Sequence, residues 1–138
     1  MHPEVVEAYE SATRLLLSLG HDVEEIDVPV PPEAVTTFET CWAVLTPTLA
    51  QPPLPVGAIR DDDDPARDFE NQKAFTPWTS AWNLTGMPAV SLPLHMTRDG
   101  LPVGVMLAGR PAEEHVLLSL SAQLEAAAPW LDRRPPCW

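Results

Sequence analysis

Proline sets the strongest limit on what this chain can fold into. The sequence holds 17 prolines in 138 residues, which is more than twice the usual share of about 5%. Each proline fixes φ and lacks the backbone N–H that a helix interior or a central strand needs. The prolines cluster in connecting segments, so we expect short helices and strands separated by long loops, above all over residues 48–59.

Four segments between the prolines have apolar residues at the three- to four-residue spacing of a helix that is buried on one side. They are residues 3–19, 33–42, 71–82 and 111–127. Pro77 must kink the third helix or mark the first turn of a shorter one. Gly20 and Gly86 are suited to end the first and third helices, because glycine adopts the left-handed conformation of a C-terminal cap at little cost.

Four other segments are typical of strands, namely residues 21–28, 43–46, 88–94 and 101–108. The last two are predicted to form an antiparallel hairpin between Pro88 and Ala108, with Asp99 and Gly100 in its loop. Both faces of residues 101–108 are apolar or small, which predicts helices on both sides. We therefore predict an α/β fold, a mixed sheet flanked by helices, in a single domain over residues 1–138. It would comprise a helix–strand–helix unit (1–42), followed by a strand, a loop, the hairpin and a C-terminal helix (43–138).

The charge of the chain excludes one class of partner and indicates a cellular location. Twenty acids against eight Lys and Arg give a formal net charge of −12, which repels the phosphate backbone of nucleic acids. There is no apolar run of the roughly 18 residues that a membrane span needs, and no leader sequence at the start. We expect a cytoplasmic protein that binds neither nucleic acid nor membrane.

The sequence offers no convincing metal or cofactor site. The four histidines lack the spacing that places two imidazoles on one zinc ion. Cys41 and Cys137 lie far apart without a CxxC partner and are predicted to be thiols. The acids from Asp61 to Asp64 are adjacent rather than spaced as calcium ligands, which favours a solvated loop. No nucleotide-binding motif is present, so we expect no cofactor.

Several side-chain pairs deserve a test as catalytic groups. His115 and Ser119 lie four residues apart on a predicted helix, but nothing around them resembles a nucleophile elbow or an oxyanion hole. Lys73 is the only lysine, and Ser80 lies two helical turns away, roughly 10 Å along a straight helix. Both pairs are weak candidates for a nucleophile and its base.

The acidic and aromatic candidates favour structural roles. The adjacent acids Glu24–Glu25 and Glu113–Glu114 point in different directions and are expected to be surface charges. Among five tryptophans, Trp78 and Trp82 are the best candidates for lining a pocket, although packing in the core is the commoner use of tryptophan.

Four segments in order resemble one protein family. FTPWTSAWNLTGMPAVSLPL (75–94) is similar to the C-terminal pattern of the amidase signature family, and GLPVGVMLAG (100–109) resembles the strand that follows it there. LTPTLAQPP (45–53) and LSLGHDVEEIDVP (17–29) resemble preceding parts of the same region. The residues that match the first pattern are Asn83, Gly86, Pro88, Ala89, Ser91 and Pro93. The resemblance implies an incomplete amidase-like fold that lacks the N-terminal part.

The chain departs from that family at the residues that carry its chemistry. The family hydrolyses amides with a Ser-Ser-Lys relay in a Gly- and Ser-rich region nearer the N-terminus, and no Gly-Gly-Ser-Ser run occurs here. We therefore predict that the chain contains no catalytic residue of this relay, and we assign no substrate-binding residues. A long, mostly helical stretch of the family is also missing before Thr46, and Met106 stands where the family often has Gln.

The resemblance implies an amidase-family protein, acting on carbon–nitrogen amide bonds in the full-length family, that is inactive alone. Open sheet edges would favour a homodimer or pairing with a separate N-terminal half. The alternative is a non-catalytic binding or complementing module, and a hydrolase built on His115 and Ser119 is a third possibility.

Overall fold

The fold is seen in a computed structural model, which describes residues 1–26, 38 and 41–133. This part of the chain contains four helices and three strands, which confirms the predicted α/β class. They are α1 (Pro3–Ser18), β1 (Ala43–Pro47), α2 (Pro65–Phe75), α3 (Thr79–Thr85), β2 (Ala89–Met96), β3 (Pro102–Gly109) and α4 (Glu114–Ala127).

The three strands form one sheet in the order β1–β3–β2, with β3 in the centre. Both strand pairs are antiparallel, so the parallel pair that a mixed sheet contains is not found among the described residues. The predicted hairpin is confirmed as β2 and β3. In its turn the N–H of Thr97 donates to the carbonyl of Leu101 at 2.8 Å, and Gly100 has a φ of 79°, which glycine adopts without strain.

Helices α1 and α4 cover one face of the sheet. The alternation of side chains along β3 directs Val103, Val105 and Leu107 to this face. The buried side of α1 packs on Val103 and Val105, while α4 packs on Leu107 through Leu117 and Leu124. This helical face holds most of the apolar core, because two amphipathic helices bury their stripes on it.

The opposite face of the sheet is covered by a smaller aromatic cluster. Met106 and Ala108 of β3 and Val44 of β1 lie on this face, where they pack with residues outside the sheet. The buried residues of this cluster are Phe38, Val44, Trp82, Met87, Met106 and Ala108. Helix α3 is held on the sheet through Trp82, and Gly86 ends that helix in the left-handed conformation, with a φ of 69°, as predicted.

Two sequence predictions are wrong at the level of elements. A continuous, kinked helix over residues 71–82 is not formed: α2 ends at Phe75 because Pro77 has no N–H to continue it, and a shorter helix, α3, begins at Thr79, close to the alternative in which Pro77 marks the first turn of a shorter helix. Helix α2 instead begins earlier, at Pro65, where Asp64 caps it. The predicted strand over residues 21–28 is not formed at residues 21–26, whose alternation of apolar residues is imperfect; residues 27 and 28 lie outside the described part.

Other boundaries shift or stay untested. The last helix begins at Glu114 rather than at residue 111. The predicted helix over residues 33–42 lies almost wholly outside the described residues; of those described within it, Phe38 is in a turn and Cys41 and Trp42 are not helical. The long loop over residues 48–59 is confirmed, since no helix or strand interrupts it.

Candidate functional site

Three hydroxyl groups gather on the face of the sheet opposite α1 and α4. Thr46 of β1 and Ser91 of β2 both pair with Met106 of β3, so the three residues form one row across the sheet. Thr48 follows β1 directly, and its N–H donates to the carbonyl of Gly104 at 3.2 Å. We call Thr46, Thr48, Ser91 and Gly104 the hydroxyl site.

Glycine at position 104 makes the centre of this site possible. The hydroxyl oxygens of Thr48 and Ser91 lie 2.6 Å apart, a hydrogen bond that runs above the backbone of Gly104. A Cβ on residue 104 would lie 2.6 Å from Ser91 Oγ and 2.9 Å from Thr48 Oγ1. Atoms of that kind do not approach so closely, so any side chain at this position would disturb the Thr48–Ser91 pair.

Two buried polar groups on the same face have no hydrogen-bond partner in the described residues. Thr46 is 7% exposed and Trp82 is 5% exposed, and neither Thr46 Oγ1 nor Trp82 Nε1 is bonded. Leaving such a group unsatisfied costs roughly 1–3 kcal/mol. Trp82 is fixed in place by Phe38, whose ring meets it edge to face with centroids 6.1 Å apart. This face therefore carries unmet hydrogen-bonding capacity, and one of the two groups, Thr46 Oγ1, belongs to the hydroxyl site.

A charged group borders the aromatic cluster at the other end of β3. The guanidinium of Arg110 lies over the ring of Trp42, 4.4 Å from its centroid, which is cation–π geometry. Burial raises the pKa of the Cys41 thiol, and the positive charge of Arg110 opposes that rise. A raised pKa keeps Cys41 in its thiol form at neutral pH; Cys137 lies outside the described residues.

The structure does not assemble the nucleophile–base pairs that the sequence suggested. His115 and Ser119 are both exposed on α4, and no hydrogen bond joins their side chains in the described part of the chain. Lys73 lies in the last turn of α2 and donates to Glu70 Oε1 at 2.8 Å, whereas Ser80 belongs to α3. Neither pair is built as a catalytic dyad.

The acidic candidates have structural positions. Glu24, Glu25 and Glu114 are exposed, and Glu113 is half-buried, with a buried oxygen, Oε2, that has no hydrogen-bond partner among the described residues. Asp64 Oδ1 accepts from the N–H groups of Ala66 and Arg67, so it caps α2.

The described residues contain no group of three or more His, Cys, Asp or Glu side chains that could hold a metal ion. None of the helices in this part of the chain is long and apolar enough to cross a membrane.

An open depression of about 380 Å³ lies away from the sheet, between the proline-rich loop and α2. Its only charged lining residue is Arg60, whose guanidinium pairs with Asp62 and Asp68. Because two carboxylates already pair with this guanidinium, the depression offers no free charge to bind a ligand. The lining residues are Leu54, Pro55, Gly57, Ala58, Ile59, Arg60 and Gln72.

Comparison with known proteins gives the family. The sequence profile of the family described as Amidase matches residues 33–118, which include the strands β1, β2 and β3. The chain belongs to the amidase family. The resemblance seen in the sequence motifs is thereby confirmed.

The relatives of this amidase-family chain are considerably longer than it is. It is 33% identical to the protein named "Putative amidase AmiB2" of Mycobacterium tuberculosis over 148 residues, which covers 97% of this chain but 30% of AmiB2. It is 39% identical to AmiA2 of the same species over 104 residues, 73% of this chain and 21% of AmiA2. The chain therefore spans less than a third of the curated relatives that it matches.

A solved structure shows the same fold. The structure of 6-aminohexanoate cyclic dimer hydrolase superposes with a TM-score of 0.83 at 21% identity, over 99% of this chain and 44% of that one. More than half of the hydrolase therefore lies outside the shared region. At this identity the likeness establishes the amidase-family fold and nothing about substrate.

Sequence reasoning missed most of the hydroxyl site. The amidase pattern in the sequence includes Ser91, but it assigns no role to Thr46, Thr48 or Gly104. One available signal was the small residue Gly104 in the middle of an otherwise apolar strand, since such a glycine marks a close approach. Trp82, which the sequence proposed for a pocket, lies instead in the core, with Trp78 packed against the same cluster.

Proposed function

We propose that this chain supplies the C-terminal part of an amidase that hydrolyses carbon–nitrogen amide bonds, and that it has no hydrolytic activity by itself. In this proposal it is a single domain that works in the cytoplasm once a region bearing the Ser-Ser-Lys relay completes it. That region would come from the N-terminal part of an amidase-family fold.

One observation carries the proposal: the two hydroxyls best placed to act together, on Thr48 and Ser91, bond only to each other in the described residues. A serine or threonine hydroxyl becomes a useful nucleophile only when an adjacent base removes its proton. In the described residues no hydrogen bond joins either hydroxyl to a His, Lys, Asp or Glu side chain. The pair therefore has the form of a structural hydrogen bond rather than that of a catalytic dyad.

The only lysine of the sequence supports the same conclusion. A Ser-Ser-Lys relay needs a neutral lysine close to the serine whose proton it accepts. Lys73 Nζ instead donates hydrogen bonds to both carboxylate oxygens of Glu70, at 2.8 and 3.0 Å. It lies on α2, a helix that has no buried residue. Lys73 is thus an exposed surface charge.

Ammonia release tests the proposal directly. The pure chain is incubated with a panel of simple aliphatic and aromatic amides, alone and after coexpression with the part of AmiB2 that lies outside the matched region. We expect no release above background from the chain alone and measurable release from the coexpressed pair. Each half measured separately is the control.

The same assay tests whether His115 and Ser119, which are exposed on α4, form an active site. Release by the chain alone that disappears in Ser119→Ala would show an active site on α4 and would overturn the proposal. Release by the chain alone that survives in Ser119→Ala would overturn it as well, and would direct attention to the hydroxyl site.

The alternative partner is a second copy of the chain, as in a homodimer. Light scattering over a range of protein concentrations separates these possibilities, because a homodimer dissociates on dilution whereas a chain that requires a different partner stays monomeric throughout.

A further inference from the structure

Arg110 is held in place at the surface of this acidic chain without a carboxylate partner among the described residues. Acids outnumber Lys and Arg by 20 to 8, so most basic side chains find one. Those that form ion pairs with described acids are Arg14, Arg60, Arg67 and Lys73. The guanidinium of Arg110 lies over the ring of Trp42 instead. A fixed cation that is not neutralised within the described part of the chain can bind an anion from solution.

The register of the sheet places Trp42 opposite Arg110. Ala43, the first residue of β1, pairs with Gly109, the last residue of β3, so the residues just beyond the two strands face each other. The alternation of side chains puts both on the face of the aromatic cluster. The guanidinium carbon lies 4.4 Å from the centroid of the Trp42 ring, and Trp42 is 63% exposed. The stack of Arg110 on Trp42 is therefore open to solvent.

The outer nitrogens of the guanidinium are the donors that a ligand can use. Nε of Arg110 is buried and has no hydrogen-bond partner among the described residues. Nη1 and Nη2 are not buried in this way, and no described residue accepts a hydrogen bond from them. A guanidinium whose face lies against an aromatic ring keeps its N–H groups at its edge. That edge is a fork that matches the two oxygens of a carboxylate.

A tight turn fixes the backbone of Arg110 and brings an acid close to it. The N–H of Glu113 donates to the carbonyl of Arg110 at 3.1 Å. Ala112, within this turn, has a φ of 59°, a conformation that is strained for a residue other than glycine. No ion pair joins Glu113 to Arg110 in the described part of the chain, and Glu113 Oε2 is buried there without a partner. Glu113 thus adds negative charge near the stack without occupying the guanidinium.

We infer that the stack of Arg110 on Trp42 binds a small monocarboxylate that carries an apolar or aryl group. Its carboxylate accepts from Nη1 and Nη2 of Arg110, and its apolar group packs on the exposed ring of Trp42. One guanidinium suits a monoanion, whereas a phosphate monoester brings up to two negative charges to a chain of net charge −12. Binding at this stack does not require the region that would complete an amidase.

Arg98 illustrates why a positive charge alone does not make such a site. It is exposed in the turn between β2 and β3, and only its backbone N–H is bonded, to Glu4 Oε1 at 3.1 Å. No described aromatic ring holds its guanidinium in one orientation. A ligand would have to restrict this long side chain at the cost of its conformational entropy, whereas the ring of Trp42 has already restricted Arg110.

Titration of the pure chain with benzoate tests the site. Binding is followed by NMR through the Nε–H of Arg110 and the indole N–H of Trp42, and benzamide is the neutral comparison of the same shape. We expect saturable shifts with benzoate, with a Kd of roughly 1–10 mM, and binding of benzamide at least about tenfold weaker. Arg110→Lys keeps the charge but loses the fork, so it should weaken benzoate binding about tenfold. Arg98→Gln, the matched control, should leave it unchanged.

Cys41 provides a second readout of the same event. Burial raises the pKa of this thiol, and the positive charge of Arg110 opposes that rise. A carboxylate bound to Arg110 offsets the charge, so the thiolate forms at higher pH and alkylation by iodoacetamide slows as benzoate is added. In a Cys137→Ser background, alkylation rates and NMR shifts should give the same Kd.

The outcomes decide for or against the site. Equal binding of benzoate and benzamide would overturn it, because recognition would then not depend on charge, and so would the absence of saturable shifts with benzoate. If Arg110→Lys fails to fold, Glu113→Gln decides: loss of the neighbouring negative charge should tighten benzoate binding about twofold. Unchanged or weaker binding in Glu113→Gln would contradict the assignment to this turn.

Discussion

Thr48 and Ser91 are 43 residues apart in the sequence, yet their hydroxyl oxygens lie 2.6 Å apart over the backbone of Gly104. The contact joins the loop after β1 to β2 across the central strand. The contact depends on Gly104 of β3, which has no side chain. All the remaining residues from Val103 to Gly109 are buried. A polar contact therefore links the loop after β1 to β2 on the face opposite the helices α1 and α4.

Gly104→Ala should destabilise the protein by about 1–3 kcal/mol, because the new methyl group would force the hydroxyls of Ser91 and Thr48 apart. Urea unfolding measures the change in the free energy of unfolding. In the double variant Gly104→Ala/Ser91→Ala the nearer oxygen is gone, so the cost should be smaller than for Gly104→Ala alone. An equal or larger cost would show that the close approach of Ser91 is not the cause.

Leu124→Ala should cost about 2–5 kcal/mol in the free energy of unfolding, since this side chain of α4 is fully buried and its loss leaves a cavity. Leu118, on the same helix, is 67% exposed and provides the matched control. Leu118→Ala should change stability by no more than about 0.5 kcal/mol. Equal effects of the two substitutions in urea unfolding would contradict the packing of α4 on the sheet.

Asp64→Ala should loosen the start of α2, because two backbone N–H groups lose the carboxylate oxygen that accepts from them. Loss of such a cap costs about 1 kcal/mol. Because α2 has no buried residue, the effect should be local: the amides of Ala66 and Arg67 should exchange about fivefold faster, with little change in global stability. Asp63→Ala, which removes an exposed acid of the same run, should leave both amides as they were.

Cys41 should react slowly with iodoacetamide near neutral pH, because burial raises its pKa and so lowers the fraction of reactive thiolate. Rates are measured against pH in a Cys137→Ser background and compared with the chain unfolded in urea. Arg110→Gln removes the charge that lowers this pKa, so the thiolate should form at still higher pH and the reaction should slow further. Arg133→Gln is the control, and a faster reaction in Arg110→Gln would contradict the electrostatic assignment.

Local patterns in the sequence were enough to predict much of the fold. The helical periodicity of α1 and α4 and the hairpin of β2 and β3 follow from side-chain spacing and turn residues that lie close together in the chain. Predictions were wrong where two local signals competed, as at Pro77, where an apolar stripe crosses a residue that cannot continue a helix. The cap at Asp64 was hidden within a run of acids that looked only solvated.

The family was also determined by the sequence, since its motifs are contiguous runs of residues in a fixed order. The hydroxyl site and the stack of Arg110 on Trp42 were decided by the tertiary structure alone. Thr48, Ser91 and Gly104 lie on three separate segments, and only strand register brings them together. Trp42 and Arg110 likewise meet only because β1 and β3 pair with Ala43 opposite Gly109. The pattern within one strand leaves its register open until a neighbouring strand selects it.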